Sequence, residues 1–127
     1  MSEPYLLFVP LDGKQWISAN QRLFWRVKAE RTKAWRQETA WHARAAKIPY
    51  VPTALVVCEL RFSTLHRRDP ANWAPTAKAC VDGLVDAEVF DDDDHKHVTG
   101  PDMRIGATVA AHLRGLVLHI HPIEENT

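Results

Sequence analysis

The chain is poor in cysteine and glycine, with two and five respectively, and it has no net charge, because 16 Lys and Arg are matched by 16 Asp and Glu. Cys58 and Cys80 both stand in apolar contexts. Two such thiols make no disulfide framework and read as reduced and buried. No apolar run approaches the roughly 20 residues that cross a bilayer. The opening MSEPYLLFVPLDGKQW has neither the basic start nor the small-residue cleavage site of a signal peptide. Repeats and low-complexity linkers are missing too. These absences point to a cytoplasmic protein, and 127 residues suit a single domain over 1–127 with one modest core.

Neutrality hides an uneven distribution of charge. Between residues 14 and 47 stand Lys14, Arg22, Arg26, Lys28, Arg31, Lys33, Arg36, Arg44 and Lys47, opposed only by Glu30 and Glu38. Between 82 and 94 stand Asp82, Asp86, Glu88 and the run Asp91–Asp94, with no base at all. A basic arm and an acidic spot in one small domain suggest a polyanion held by the first and a divalent cation by the second. Two solvated faces of opposite sign would look the same on charge alone.

The order of elements reads β-α-β-α-β-β, a mixed α/β domain with two main helices. PYLLFVPL (4–11) is a short strand closed by turn residues. Residues 18–47 contain no Gly or Pro and have helix composition, with Ser18 or Asn20 to cap the start and Ile48-Pro49 to stop it. One helix, or a turn followed by a helix from about Ala29, are both open. TALVVCELRFST (53–64) alternates Cys58, Leu60 and Phe62 against Glu59, Arg61 and Ser63, the pattern of a half-buried strand. Turn chemistry surrounds Asp69-Pro70. Pro75 suits the first position of a second helix, which would bury Ala79, Val81, Leu84 and Val85. Strands follow at 98–107 and 115–123, the latter alternating Leu116, Leu118 and Ile120 against Val117, His119 and His121.

FDDDDHKH (90–97) concentrates like charge at one point. Carboxylates with open water positions suit Mg2+ or Mn2+. Four consecutive aspartates cannot all face one ion, so one or two would be ligands and the others would set the field. The run lacks the alternating ligands and Gly of an EF-hand loop. His95 and His97 supply at most half a zinc site, with no matching pair elsewhere. Asp69 lies before the second helix and the run lies after it. The two converge only if the flanking loops fold back, as neighbouring strands before residue 65 and after 97 would allow.

RRDPANWAPTAKACVDGLVDAEVFDDDD (67–94) resembles the central region of the RusA-like Holliday-junction resolvases. That region has a basic lead-in, a D-x-x-N motif, a Lys-bearing helix containing D-x-L, and a D-D pair beyond it. SANQRLFWRVKAERTKAWR and HVTGPDMRIG resemble flanking parts of the family, so the likeness runs from about residue 16 to 121. It implies a small homodimeric endonuclease that nicks four-way DNA junctions with Mg2+. On this resemblance Asp69 and Asp93 match metal aspartates, Asp92 stands beside the second, Asn72 matches the motif asparagine and Lys78 the helix lysine. Ala71 departs from the family, where RusA carries a second aspartate, and the stretch from Asn72 to Lys78 is longer than in RusA. Asn72 or Asp92 could supply the missing oxygen.

Phosphodiester hydrolysis fits these residue types. A bound Mg2+ activates water and stabilises charge on the phosphate, and the Lys78 ammonium could face that developing charge. Lys78 could equally form an i,i+4 ion pair with Asp82, worth a few tenths of a kcal/mol. Arg67 and Arg68 read as phosphate contacts, and Arg22, Arg26 and Lys28 as the DNA-gripping part of the basic arm. Trp25 could stack on bases, whereas Trp35, Trp41 and Trp73 are expected in the core. His42, His66, His112, His119 and His121 form no triad with a nucleophile. Two other readings stand beside a junction endonuclease: a catalytically silent DNA-binding protein of the same fold, and an interaction module whose acidic loop binds a basic partner.

Overall fold

The computed structural model describes residues 3–124, so the extreme ends of the expected 1–127 domain lie outside the described residues. Strand β1 (Tyr5–Pro10) is followed by helix α1 (Trp25–Ala45), strand β2 (Ala54–Arg61), a one-turn 3-10 helix (Pro70–Trp73), helix α2 (Ala74–Asp86), strand β3 (Val98–Ile105), a second 3-10 turn (Ala111–Leu113) and strand β4 (Gly115–Pro122). The strands form one mixed sheet in the order β1-β4-β2-β3. β4 runs antiparallel to both β1 and β2, and β2 runs parallel to β3. The expected mixed α/β class with two main helices is what forms.

Alternation decides the faces. Along β2 every second residue is buried, as Ala54, Val56, Cys58 and Leu60 point inward. Leu7 and Val9 of β1 and Leu116, Leu118 and Ile120 of β4 join them on that face. Trp35 and Ala43 of α1, with Ala77, Cys80 and Leu84 of α2, complete the same core. Cys58 and Cys80 are free and buried, and burial pushes both thiols up, Cys80 to about 12. Such thiols are inert. Among the described residues no helix is long and apolar enough to cross a membrane.

The two helices cross closely at Gly83. A Cβ there would lie 2.5 Å from the Arg36 carbonyl oxygen and 2.9 Å from Thr39 Cβ. Each helix ends in a left-handed residue that is not glycine, Lys47 (φ 56°) after α1 and Glu88 (φ 63°) after α2. After α2, Val89 N–H donates to the Leu84 carbonyl at 2.9 Å and Glu88 N–H to that of Val85 at 3.0 Å, the paired bonds of a Schellman cap. This cap turns the chain so that Val89 and Phe90 enter the core and Asp91 emerges at the surface.

Helix α1 starts at Trp25, later than residue 18 and earlier than Ala29. Ser18 and Asn20 cap nothing, since Phe24 holds the cap position and offers no side-chain bond. Instead Ser18 Oγ accepts from Asn20 N–H at 3.2 Å, and Gln21 Oε1 accepts from Ser18 N–H at 2.9 Å. Short polar side chains that bond their own backbone compete with helix in this way. Residues 15–19 are also pinned across the starts of other elements. Trp35 Nε1 donates to the Gln15 carbonyl at 2.8 Å, Thr76 Oγ1 bonds both the N–H and the carbonyl of Ile17, and Ala19 N–H donates to the Asn72 carbonyl at 2.7 Å.

Of the aromatic expectations one needs correction and one holds in part. Trp41 is 62% exposed, because the buried stripe of α1 runs through Trp35, Thr39, Ala40 and Ala43 and leaves position 41 outside it. Trp73 is half-buried and packs on the core edge against Phe62.

Candidate functional site

β2 and β3 are neighbours, as convergence of Asp69 with the acidic run required, but they are parallel: Ala54 pairs with Val98 and Leu60 with Ile105. The chain therefore leaves β2 at one end of the sheet and enters β3 at the other, with α2 as the return path. Adjacency of the strands alone brings no loops together. What reaches back is the acidic run itself, along the flank of α2.

Lys78 lies on the second turn of α2 with Asp82 one turn further on, so the two share a face. Lys78 Nζ donates to Asp82 Oδ1 at 2.6 Å and also to Asp93 Oδ2. Of the two roles weighed for Lys78, the i,i+4 ion pair with Asp82 forms, and a bond to Asp93 that the sequence did not suggest joins it. Its hydrogen bond to Lys78 holds the Asp93 carboxyl below the usual carboxylate range. Desolvation opposes the charged form of Lys78, and the bonds to Asp82 and Asp93 outweigh it and raise the lysine's pKa.

The other aspartates of the run each find a separate partner. Tyr50 OH donates to Asp91 Oδ2 at 2.5 Å. Asp92 Oδ1 accepts from the Asp93 N–H at 2.7 Å. Asp94 Oδ1 lies 2.5 Å from His97 Nδ1 and accepts from Lys96 N–H at 3.1 Å. That contact lowers the Asp94 pKa and raises that of His97. Behind the cluster, Arg36 grips Asp86 through two bonds of 2.5 and 2.8 Å, joining α1 to α2.

Asp69 has a local partner of its own. Its Oδ1 accepts from Ala71 N–H at 3.1 Å, capping the 3-10 turn. The Asn72 side chain makes no hydrogen bond to the described residues, while its backbone carbonyl holds Ala19. Arg68 folds back over Phe62, 3.9 Å from the ring centroid, and donates to Thr64 at 2.9 Å. Arg67 and Arg22 are exposed, with no bond or ion pair to the described residues. Arg26 lies over the Trp25 ring at 5.2 Å, and Lys28 is exposed on α1.

Carboxylate oxygens from two chain segments meeting at one cationic group are the kind of donor set that suits a hard divalent ion. Mg2+ is commonly held by one or two carboxylates, with water and substrate phosphate supplying the rest. Asp82 and Asp93 bring two such carboxylates to one point, where the Lys78 ammonium is bonded to both. Among the described residues no three His, Cys, Asp or Glu side chains gather around one point. Asp82 as a member of the cluster went unassigned in the sequence beyond its ion pair, although its i+4 spacing from Lys78 was the available signal. The bond between Tyr50 and Asp91 had no signal, because 41 residues separate them. No protein-family model matches the chain, and no curated protein matches it.

Proposed function

We propose that the chain is a Mg2+-dependent, structure-selective endodeoxyribonuclease of the RusA-like kind, which acts as a cytoplasmic homodimer on four-way DNA junctions in recombination and repair. The observation that carries the reading is the meeting of Lys78 with Asp93. The two are 15 residues apart in the chain, and a resemblance in sequence gives them one site. Asp69 and Asp93, with Asp92 and Asn72, are the residues that would hold Mg2+ on the resemblance, and Asp82, on the same ammonium as Asp93, adds a further carboxylate. The ion, when bound, supplies an activated water and a counter-charge for the phosphate.

The chain's own residues have separate tasks in this reading. Released from Asp93, the Lys78 ammonium is a point charge for the phosphate oxygens as negative charge builds on them. Arg67 and Arg68 flank the Asp69 segment and orient the DNA backbone. Arg22, Arg26 and Lys28 extend the grip along the exposed start of α1. Two cuts placed symmetrically on a junction call for two sites related by a two-fold axis, hence a homodimer.

A second reading has an observation of its own. Ala71 offers no carboxylate, and Asp69 spends one oxygen on the Ala71 N–H, as a protein that binds junctions without cutting them would tolerate. An acidic loop offered to a basic partner is supported less, because each aspartate of the run already has a partner within the fold. Incubating the protein with a labelled four-way junction, with and without Mg2+, separates the readings. Cutting only with Mg2+ supports the endonuclease, binding without cutting supports the silent protein, and neither supports the interaction module.

A further inference from the structure

We propose that a cavity beside the Asp69–Asn72 segment receives one unpaired nucleotide, its base held by Trp16 and Trp73 and its phosphate by Arg114 and Arg68. The cavity measures about 480 Å³, within the roughly 300–1,000 Å³ of small-molecule sites. Phe62, at the end of β2, forms its floor and is only 8% exposed. The Trp16 ring lies 5.1 Å from Phe62 at 42°, and the Trp73 ring lies 5.1 Å from it at 63°. Both tryptophans are half-buried, so each keeps part of its surface for a ligand.

The supports of the two walls are independent. Trp16 stacks on the fully buried Trp35 at 5.4 Å, and the Trp16 carbonyl accepts from Arg31. Trp73 is held by the 3-10 turn that Asp69 caps. A rigid aromatic wall loses little entropy when a base stacks on it, and each stacked base is worth about 1–3 kcal/mol.

Charge selects the class of ligand. The lining contains two guanidinium groups and no carboxylate, in a chain with as many acids as bases. That combination repels a cationic guest, which an aromatic box alone would favour, and suits an anion with a flat ring. Arg114 is exposed, and its Nε donates to the Ala111 carbonyl at 2.9 Å, leaving its terminal nitrogens for phosphate. Arg68, which covers the Phe62 ring at 3.9 Å, would exchange its bonds to Thr64 for a phosphate. Because Arg68 and Trp73 bracket Asp69 and Asn72 in the chain, a nucleotide seated here would flank the phosphate to be cut. The pocket thus deepens the DNA-processing reading and rests on it.

Fluorescence anisotropy in EDTA tests the pocket with no cleavage involved, using a labelled single-stranded thymidine oligomer and an abasic oligomer of equal length. The wild type should bind the thymidine oligomer at least about fivefold more tightly. Trp73→Leu should bind the two equally. Arg114→Gln should weaken both and lower the slope of log K against log salt by about one unit. Equal wild-type affinities, discrimination surviving in Trp73→Leu, or an unchanged slope in Arg114→Gln would each overturn the pocket. A failure of Trp73→Leu to fold leaves the wild-type comparison and Arg114→Gln to decide. A protein that discriminates between the oligomers but never cuts a junction keeps the pocket and loses the endonuclease reading.

Discussion

Replacing Lys78 with methionine keeps the helix and most of the stem volume and removes the one charge that Asp82 and Asp93 share. The Lys78 side chain is 57% exposed, while those of Asp82 and Asp93 are 25% and 29% exposed. With the lysine more than half in water, each pair falls in the range of exposed ion pairs, about 0.2–1 kcal/mol. Two pairs, with some repulsion between the carboxylates left behind, give a loss of about 1 kcal/mol. For a chain of this size that lowers Tm by about 4 °C at low salt, and less at high salt. The loss should also depend on acid. Asp93 titrates below its ordinary 3.8 when paired with Lys78, so its contribution is complete above that value and is lost as pH falls through the depressed pKa. The gap between wild type and variant should therefore narrow in acid.

Mg2+ should then behave differently in the two proteins. In the wild type it must displace an ammonium, whereas in Lys78→Met the position between the carboxylates is free. At ten times its Kd, Mg2+ would return about 1.4 kcal/mol to the variant. Thermal melts at pH 7, with and without Mg2+, read this directly. No loss of Tm would mean that the ion pairs contribute nothing. A loss that Mg2+ does not reverse would mean that Asp82 and Asp93 do not form a cation site.

Three further outcomes follow from separate parts of the molecule. His97→Gln should lower Tm at about pH 5.5 and leave it unchanged at about pH 9. The raised His97 pKa makes its contribution present below the ordinary 6.5 and lost as pH rises through the raised value, while Asp94 stays charged above its lowered one. A pH-independent loss would assign His97 to packing instead. Gly83→Ala drives a methyl into the α1 backbone and should cost about 1–3 kcal/mol in chemical denaturation, and a neutral result would contradict the close crossing. Ala71→Asp adds a carboxylate two residues from Asp69, whose repulsion should leave the Mg2+ concentration for half-maximal cleavage equal or higher, and a large drop would show that a ligand was missing.

How far the fold could be read in advance differs by element. The strands β2 and β4 are carried by local alternation of branched and polar residues, and their inward faces lie where that alternation puts them, although Val117 on the opposite face of β4 is buried as well. The start of α1 is not local. Ser18 and Gln21 bond the nearby backbone, and the Ala19 N–H donates to the Asn72 carbonyl, a partner more than fifty residues away in sequence. Trp41 misled because size alone favours the core, while the phase of the helix, set by Trp35, Thr39 and Ala43, puts it in water.

The candidate site divides in the same way. Neighbouring aspartates in an extended loop point in different directions, and each of Asp91 to Asp94 has its own partner. Which of them meets Lys78 depends on the Schellman turn at Glu88 and the burial of Val89 and Phe90. The return of the acidic run along α2 toward Lys78 follows from the parallel pairing of β2 with β3, a long-range choice that no short window of sequence carries. β3 also takes an extra residue between its partners of Leu55 and Val57, where Gly100 adopts φ +102° and a Cβ would meet the Val56 carbonyl at 2.6 Å.

Junction cleavage by the wild type and by Asp93→Asn, side by side with and without Mg2+, tests the central claim most directly. The substitution preserves shape and removes the charge that draws a hard cation. The wild type should cut only with Mg2+, and Asp93→Asn should bind the junction at least as well and leave it intact. An uncut junction in the wild-type reaction, or cutting by Asp93→Asn at the wild-type rate, would contradict the account.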